Sequence, residues 1–401
     1  MFDISLAFFE KGGVVPMLRA IFMLCLLVFF LIKYNQNNKF FSMSIIFSVY
    51  VLITCLFSSD ILRSLSISLK IIISILSFSI GFGYFNSFSR LKILNHANLV
   101  VLVILLFNFI LSTLFGIGYD TYTGEDDFLA GNLSDSWNIF TYSLMASPLL
   151  LLQFNKQNTK KILIQSLLFT NLIIMVLSLK RIAVIGVLVG GLIYGYFNFN
   201  LFKHIKTVFI VLIVLISTFP IYQDTLLKRF DSRSDRFQKG ALEEEARYME
   251  TGFVWSEIAR FENPIKVLFG LEGFNSVGNY ADGKFGDRNL HIDYNLIANT
   301  VGIVGLILYI MIFVQLVLKF YSFKIASEKI PEILYKPLKG LFWAMILTQF
   351  VTSFSGQMYL TTFRMIIFIY LGAILGIMYR YSKSASEASR HQKDELNTKL
   401  T

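Results

Sequence analysis

Residues 97–118 read ANLVVLVILLFNFILSTLFGIG, a block that contains no charged side chain. An α-helix rises about 1.5 Å per residue, so this block is long enough to cross the roughly 30 Å hydrocarbon core of a bilayer. The segment from Val100 to Leu106 is continuously apolar, whereas a strand of a membrane barrel alternates apolar and polar side chains. The block therefore predicts a transmembrane α-helix.

Blocks of the same kind precede and follow residues 97–118, and together they predict an all-α, polytopic membrane bundle of about eleven spans. Each span is expected to be helical, because backbone polar groups in lipid must find their hydrogen-bond partners within the segment. The composition agrees, since 55% of the residues are hydrophobic and 15% are charged, where a soluble domain has about 25% charged residues. A soluble enzyme, a disordered chain and a disulfide scaffold are thereby excluded. The predicted spans are 15–33, 40–57, 62–83, 97–118, 137–154, 162–179, 182–197, 205–221, 290–318, 338–355 and 362–380.

Lysine and arginine are distributed unevenly among the loops that join these spans. Every second loop is basic, while the loops between them are poor in lysine and include an acidic stretch from Asp120 to Asp135. The positive-inside rule places the basic loops in the cytoplasm, the N-terminus outside and the C-terminus inside. Most of the net charge of +10 follows from this bias, so no nucleic-acid partner is expected. The basic loops and the tail contain Lys33, Lys39, Arg90, Lys92, Lys156, Lys160, Lys161, Lys203, Lys206, Lys319, Lys324, Lys329, Lys336, Lys339, Arg380, Lys383, Arg390, Lys393 and Lys399.

One connection between spans is far longer than the others, and by alternation it lies in the periplasm. Within it, the helical spacing of apolar residues from Ala241 to Ala259 predicts an amphipathic helix that ends before Pro264. The last residues are polar and predict a disordered cytoplasmic tail. The predicted regions are spans one to eight in 1–221, the large periplasmic loop in 222–289, spans nine to eleven in 290–380, and the cytoplasmic polar tail in 381–401.

Two cations, Lys180 and Arg181, lie in the very short turn between the sixth and seventh spans, on the side where the positive-inside rule disfavours them. They are either snorkelling side chains at the interface or an anion site held at the membrane surface. Their unusual position favours the anion site. Arg247 in the predicted loop helix is a further candidate, although a lone loop arginine is commonly only solvated.

A glycine turn lies further along the loop, at Phe269-Gly270-Leu271-Glu272-Gly273. Taken alone, a pair of glycines at this spacing indicates only a turn in a loop. A binding role for Gly270 and Gly273 therefore depends on the other motifs.

A histidine motif lies where the chain re-enters the membrane: His291 is preceded by Arg288 and followed by Asp293, Tyr294 and Asn295. On a helix, Tyr294 and Asn295 share one face with His291, while Asp293 lies off that face. Histidine exchanges a proton near neutral pH, as a general base requires. The alternative is an interfacial histidine without a chemical role.

Motifs for metals and nucleotides do not occur in the sequence. The four histidines are scattered, and the acidic segment 120–127 lacks the spacing of an EF-hand. There is no Walker loop and no dinucleotide-binding fingerprint. An enzyme built on this chain is therefore expected to use neither a metal nor a cofactor, and to receive a substrate that is already activated.

Taken in order, these motifs resemble those of the O-antigen ligase and O-antigen polymerase superfamily of bacterial envelope proteins. Members of that superfamily combine many membrane spans with one large periplasmic loop, and the resemblance covers roughly residues 130–310. Leu179-Lys180-Arg181 matches the arginine of a short periplasmic turn, and His291-Ile292-Asp293-Tyr294 matches the histidine motif that closes the loop. Further matching positions are Gly131, Asn132, Asn138, Arg247, Trp255, Pro264, the glycine turn, Gly302 and Gly305.

Two positions depart from the pattern of the superfamily. Ile292 stands where the family has an asparagine after the histidine, and Thr300 stands where it has a glutamate. If those family residues orient the histidine, the task is expected to fall to Asp293 or Asn295 here.

The resemblance implies a GT-C-like fold and glycosyl transfer from a polyprenyl-diphosphate-linked sugar chain, at the periplasmic face of the bacterial cytoplasmic membrane. It implies that Arg181 and Arg247, with Lys180, hold the diphosphate, and that His291 is the base in a single inverting transfer. The implied partners are a lipid-linked donor and acceptor, membrane lipid and a chain-length regulator. The residues expected to bind substrate are Lys180, Arg288, Asp293, Tyr294, Asn295, Gly270 and Gly273.

Three functions remain open at this point. A surface-polysaccharide polymerase is preferred, because the histidine motif departs from the His-Asn form and no feature suggests a lipid A partner. An O-antigen ligase would use the same donor and transfer the chain to the lipid A core. A transporter or flippase of lipid-linked sugars should show broken helices and charges at mid-membrane. The polar residues cluster on the outer side instead, with Arg63, Lys70 and Arg364 as the exceptions.

Overall fold

A computed structural model of the chain describes residues 14–35, 41–115, 120–121, 125–126, 137–148, 158–177, 181–199, 206, 223, 246–278, 280–281, 289–323, 328–354, 358 and 361–400. Its secondary structure is α-helical apart from one antiparallel pair of two-residue strands, β1 (Asp120–Thr121) and β2 (Glu125–Asp126). The helices are α1 (Val14–Asn35), α2 (Ser42–Cys55), α3 (Ile61–Leu76), α4 (Phe78–Tyr84), α5 (Phe88–Phe115), α6 (Trp137–Ala146), α7 (Asn158–Leu177), α8 (Arg181–Asn198), α9 (Ala246–Arg260), α10 (Pro264–Phe269), α11 (Asp293–Thr300), α12 (Gly302–Ser322), α13 (Glu332–Thr352) and α14 (Thr361–Leu400).

Four helical segments in the described part are long and apolar enough to cross a membrane, judged by length and composition. Shorter apolar helices accompany them. The predicted helical bundle is thus confirmed at the level of fold class, while the number of spans and their orientation stay predictions. The predicted span at 205–221 lies outside the described helices. The four long segments are Ile61–Tyr84, Phe88–Leu111, Gly302–Ser322 and Arg364–Ser384.

One of the predicted spans is continuous in the structure and another is interrupted. The predicted span 62–83 lies within the continuous segment Ile61–Tyr84, which passes from α3 to α4 at Ser77 with right-handed helical angles (φ −58°, ψ −17°), and the Ser77 hydroxyl donates to the Ser74 carbonyl oxygen. Such bonds from serine to the preceding turn commonly bend helices. The predicted span 290–318 divides into α11 and α12, because Gly302 has a φ of +76°, which ends a right-handed helix. The membrane-length segment therefore begins at Gly302.

The predicted disordered tail is wrong, because α14 continues to Leu400. Its polar part contains neither proline nor glycine, and eleven of the twenty residues 381–400 are lysine, alanine, glutamate, leucine, arginine or glutamine, which are good helix formers. Glu395 and Lys399 are also spaced four residues apart in the favourable order for a helix. Polarity alone indicated disorder, but the propensity of these residues favours a helix that extends from the last span.

Glycines allow α4 and α14 to pack at very short range. A methyl group on Gly81 would stand 2.8 Å from the backbone nitrogen of Ala373, and one on Gly372 would stand 2.8 Å from that of Phe82. Small residues at such crossings are typical of helix packing in membranes. The contact fixes α14 against α4, and α14 carries Arg364 into the site described below.

Helices α8 and α13 run antiparallel along each other. At one end Gly340 lies against Tyr194 and Asn198, and at the other the Thr348 hydroxyl donates to the Gly186 carbonyl oxygen at 3.2 Å. The first residues of α8 and the last residues of α13 therefore lie at the same end of the bundle. Arg181 begins α8, so its backbone lies at this end.

Candidate functional site

The turn that precedes α11 places His291. The helix begins at Asp293, and Ile292 before it is extended, with φ −83° and ψ 125°. The prediction that His291 continues one helical face with Tyr294 and Asn295 is therefore wrong, because the extended residue turns the chain. His291 is instead free to face α9.

A buried carboxylate from α9 stands beside this histidine. Oε1 of Glu250 lies 3.7 Å from Nδ1 of His291, and Oε2 accepts a hydrogen bond from the His291 backbone N–H at 3.4 Å. The hydroxyl of Tyr280 donates to Oε1 at 3.4 Å. The Glu250 side chain is 0% exposed and that of His291 is 17% exposed. One ring nitrogen thus faces a buried carboxylate while the ring keeps limited access to the outside.

Glu250 is a site residue that the sequence motifs did not identify. It lies four residues after Ala246 and three before Phe253, so it shares the helix face that the predicted apolar stripe of α9 occupies. Glutamate is rarely buried unless it is paired, so a carboxylate on an apolar face was the available signal. The expectation that Asp293 or Asn295 orients the histidine stays a prediction, and Glu250 is a further charged group close to the ring, 3.7 Å from Nδ1.

Asn295 ties α11 to α9. Its Oδ1 accepts from the Trp255 indole nitrogen at 3.0 Å, and its Nδ2 donates to the Thr251 hydroxyl at 2.8 Å. Asn295 is 1% exposed. These bonds hold the first turn of α11 against the middle of α9, on which Glu250 also lies.

Asp293 forms a buried ion pair with Arg364 at the start of α14. The side chains are 1% and 2% exposed, respectively. The backbone N–H of Asp293 also donates to the Ser353 carbonyl oxygen at 3.1 Å, just after α13. The pair therefore joins α11, α13 and α14 immediately behind His291.

A hydrogen-bond network surrounds that ion pair. The side-chain amide of Gln349 donates to the Tyr309 hydroxyl at 3.1 Å and to the Ser353 hydroxyl at 3.2 Å, and the hydroxyls of Tyr142 and Thr352 are 2.6 Å apart. These bonds link α6, α12 and α13 around the ion pair, while the buried Oε1 of Gln349 has no hydrogen-bond partner in the described part of the chain.

Tyr294 points toward α13 and not toward His291. Its hydroxyl donates to the Phe350 carbonyl oxygen at 2.9 Å, and its ring packs edge-on against Phe354 with centroids 4.9 Å apart. Tyr294 therefore seats the start of α11 on the end of α13.

The glycine turn after α10 packs against the junction of α11 and α12. Gly270 has a φ of +64°, and a methyl group there would stand 2.5 Å from backbone atoms of Val301. The Tyr50 hydroxyl lies 2.6 Å from the Phe269 carbonyl oxygen and 2.9 Å from that of Val301, so its single proton is shared between them. Gly270 and Gly302 thus permit a backbone contact that no residue with a Cβ would allow.

The same turn is bound to the connection between α2 and α3. The Glu272 carboxylate accepts from the Ser58 hydroxyl at 2.8 Å and from the Ser59 backbone N–H at 3.2 Å. Gly273 has a φ of +53°, and a methyl group there would stand 2.6 Å from the sulfur of Cys55. Both Gly270 and Gly273 serve close packing in the structure.

The predicted anion-binding residues are placed only in part. Arg181 is the first residue of α8, and Arg247 lies in the first turn of α9, three residues before Glu250. The backbone of Arg181 lies at the end of the bundle where Ser353 binds Asp293, and Arg247 lies one helical turn from the carboxylate that faces His291. Lys180 and Arg288 fall outside the described residues.

Within the part of the chain that the structure describes, no three His, Cys, Asp or Glu side chains are grouped so as to hold a metal ion. No protein-family model and no curated protein sequence matches the chain.

Proposed function

We propose that this chain is a membrane glycosyltransferase that polymerises a bacterial surface polysaccharide, O-antigen or a related polymer. It transfers a polyprenyl-diphosphate-linked sugar chain onto a lipid-linked repeat unit at the periplasmic face of the cytoplasmic membrane. The observation that carries the proposal is the buried carboxylate of Glu250 beside His291, at the end of a helical bundle of membrane dimensions. The order of motifs from Arg181 to His291 supports it.

The histidine acts as a general base in this mechanism. The Glu250 carboxylate lies 3.7 Å from Nδ1, beyond hydrogen-bond distance, so it stabilises the imidazolium by its charge, while the second ring nitrogen accepts the proton. The acceptor hydroxyl gives its proton to that nitrogen as its oxygen bonds to the anomeric carbon. The bond from that carbon to the diphosphate oxygen breaks in the same step, so the anomeric centre is inverted.

The arginines stabilise the leaving group. A diphosphate that departs as an anion needs positive charge more than it needs a proton, and the planar guanidinium forks match phosphate oxygens. Arg181 is the first residue of α8, and Arg247 is the second residue of α9, three residues before Glu250. Lys180 is assigned to the same anion site.

Replacing either arginine with alanine is expected to lower the rate of polymerisation about 10²–10³-fold, the typical effect of losing one donor to a developing anion. Arg181→Lys and Arg247→Lys should restore only part of the rate, because a point charge lacks the fork. Polymer length and in vitro rates with purified lipid-linked repeat unit measure the effect. Arg90→Ala, at an exposed arginine on α5, is the matched control. Full-length polymer from both alanine variants would remove the diphosphate site.

A deletion strain separates the polymerase from the ligase. Lipopolysaccharide core that carries a single repeat unit would support polymerase. Core that carries no repeat, with polymer accumulating on the lipid carrier, would support ligase instead, which uses the same donor.

One observation favours a transporter as a second candidate. An ion pair is buried between Asp293 and Arg364, and buried charges within a membrane bundle are typical of transport pathways. Proteoliposomes that contain only this protein and a lipid-linked repeat unit distinguish the two. Lengthening of the sugar chain supports the transferase, whereas movement of the lipid between leaflets without lengthening supports the transporter.

Topology is tested by single cysteines in a background without Cys25 and Cys55. Ile265→Cys, at a position 63% exposed after α9, is expected to react with an impermeant maleimide in spheroplasts. Ser386→Cys in the polar tail should react only after permeabilisation, because the lysine bias places the tail in the cytoplasm. The reverse labelling pattern would invert the proposed orientation and place His291 on the wrong side for this function.

A further inference from the structure

A cavity of about 340 Å³ lies between α9, α10 and α11, apart from the His291 site. Its volume falls within the range of about 300–1,000 Å³ that is usual for sites of small molecules. Glu257 from α9, Lys266 from α10 and Asn299 from α11 line it. Each of the three helices therefore contributes a polar side chain to this cavity, which is partly open.

The charges around the cavity balance. Its lining contains the carboxylates of Glu257 and Glu262 and the cations of Arg260 and Lys266. Nζ of Lys266 lies 3.9 Å from Oε1 of Glu257. An anionic ligand would lie beside two carboxylates, and a cationic ligand would lie beside two cations. The cavity therefore suits a neutral ligand.

The polar groups at the inner wall call for a ligand that both donates and accepts hydrogen bonds. Asn299 is 6% exposed, its Nδ2 donates to Oε2 of Glu257 at 3.5 Å, and its buried Oδ1 has no hydrogen-bond partner in the described part of the chain. Apolar groups of Phe253 and Val267 complete the lining. Hydroxyl groups match the carboxylate and the amide, and the C–H face of a sugar ring matches the apolar wall.

The cavity is aligned with the His291 site along α9. Glu250 and Glu257 are seven residues apart, which places them on one face of the helix at a separation of about 10 Å. Asn295 binds Thr251 and Trp255 between them. A row of polar side chains therefore connects the carboxylate beside His291 with the cavity. A short oligosaccharide is long enough to reach from one to the other.

We infer that this cavity is a saccharide subsite, which binds neutral sugar units of the chain whose reacting end lies at His291. The inference rests on the proposed function for the identity of that chain, while its physical basis is the neutral, hydroxyl-matching lining. Glu257 accepts from sugar hydroxyls, and Asn299 accepts through Oδ1. The subsite selects the repeat unit by its hydroxyl pattern, separately from the diphosphate that every lipid-linked donor shares.

The test measures binding to the purified full-length protein in nanodiscs. One probe is a fluorescently labelled repeat-unit oligosaccharide, released by mild acid from the lipid-linked intermediates of the strain. The other is sugar-free polyprenyl diphosphate. Glu257→Ala and Asn299→Ala are expected to weaken oligosaccharide binding about 10–100-fold, the loss of a hydrogen bond to a charged or buried group, and to leave polyprenyl diphosphate binding unchanged.

Two further variants test whether a loss of oligosaccharide binding is specific to the cavity. Glu332→Ala is the matched control, since Glu332 forms an exposed pair with Lys336 at 2.6 Å, far along the chain from the cavity. Ser256→Trp fills the half-buried rim of the cavity without removing the Glu257–Asn299 contact, and it should also abolish oligosaccharide binding. It serves as the test if Glu257→Ala changes the elution or the thermal unfolding of the protein.

The outcomes separate this inference from the proposed function. Unchanged oligosaccharide affinity in the cavity variants, or no oligosaccharide binding by the wild type, overturns the subsite. Oligosaccharide binding that depends on Glu257 and Asn299, in a protein that transfers no sugar, supports the subsite and overturns the transferase.

Discussion

His291→Ala is expected to lower the rate of sugar transfer about 10²–10⁴-fold, the usual effect of removing a general base. The lipid-linked donor should still bind, because the proposed diphosphate site at Arg181 and Arg247 does not include His291. In vitro polymerisation with purified donor and acceptor measures the rate, and a pull-down of labelled donor measures binding.

His291→Gln distinguishes a base from a hydrogen-bond donor. Glutamine donates a hydrogen bond but is a negligible base near neutral pH, so its rate should match that of His291→Ala. Near wild-type transfer by His291→Gln would leave the histidine as a binding residue. His96→Ala is the control, because His96 is exposed on α5, where its Nδ1 lies 2.7 Å from the Lys92 carbonyl oxygen.

Glu250→Gln tests the carboxylate separately. It keeps the shape of the side chain and its acceptor oxygen for the His291 backbone N–H, and it removes the charge that favours an imidazolium. A positioning role predicts a lower maximal rate with an unchanged affinity for donor, and Glu250→Asp should recover part of the rate. A purely structural glutamate would change protein yield and not the rate per folded molecule.

The second large effect concerns stability. Arg364→Ala leaves Asp293 buried without its cation, and breaking one partner of a buried pair typically destabilises a protein by about 3–5 kcal/mol. Total stabilities are only about 5–15 kcal/mol, so this loss is a large fraction of the total, and the amount of protein that accumulates in the membrane should fall. Unfolding by denaturant in detergent, followed by helical circular dichroism, measures the loss.

A paired replacement makes the stability test specific. Asp293→Leu combined with Arg364→Met removes both charges and keeps comparable volume, so it should be much less destabilising than Arg364→Ala. Arg63→Ala removes an exposed arginine and serves as the control. Equal stability of Arg364→Ala and the wild type would show that the pair contributes nothing to the bundle.

The helical class of the fold could be predicted because it depends on local composition. The block at 97–118 is apolar throughout, and α5 occupies Phe88–Phe115 in the structure. The start of α5 was missed because Arg90 and Lys92 lowered the apparent hydropathy of its first turns. A charged residue marks the end of an apolar block in the sequence, but the helix itself can continue through that residue.

The division of α11 from α12 could not be predicted in the same way. Gly302 has a positive φ, and it also packs closely against another segment. A methyl group there would stand 2.6 Å from the carbonyl carbon of Phe269. The glycine was visible in the sequence, but its partner was not. A helix break that depends on such a partner requires knowledge of the tertiary fold.

The partners of the candidate site residues could not be predicted from the sequence either. His291 and the arginines were recognisable from their motifs, whereas the partner of His291 lies 41 residues earlier at Glu250, and the partner of Asp293 lies 71 residues later at Arg364. Periodicity relates residues within one helix only. Pairings between α9 and α11, or between α11 and α14, are set by how the helices pack.

The contacts of Tyr50 and Glu272 define what can be exchanged between related proteins. They join the glycine turn to α2, to the α2–α3 connection and to the start of α12, which are distant in sequence. A chimera that transplants only residues 222–289 would carry the turn without the hydroxyls and the backbone surface that receive it. The structural unit that a chimera must exchange is therefore discontinuous in sequence. We expect that a change of substrate preference requires exchange of α2, the first turn of α3 and the α11–α12 junction together with the loop.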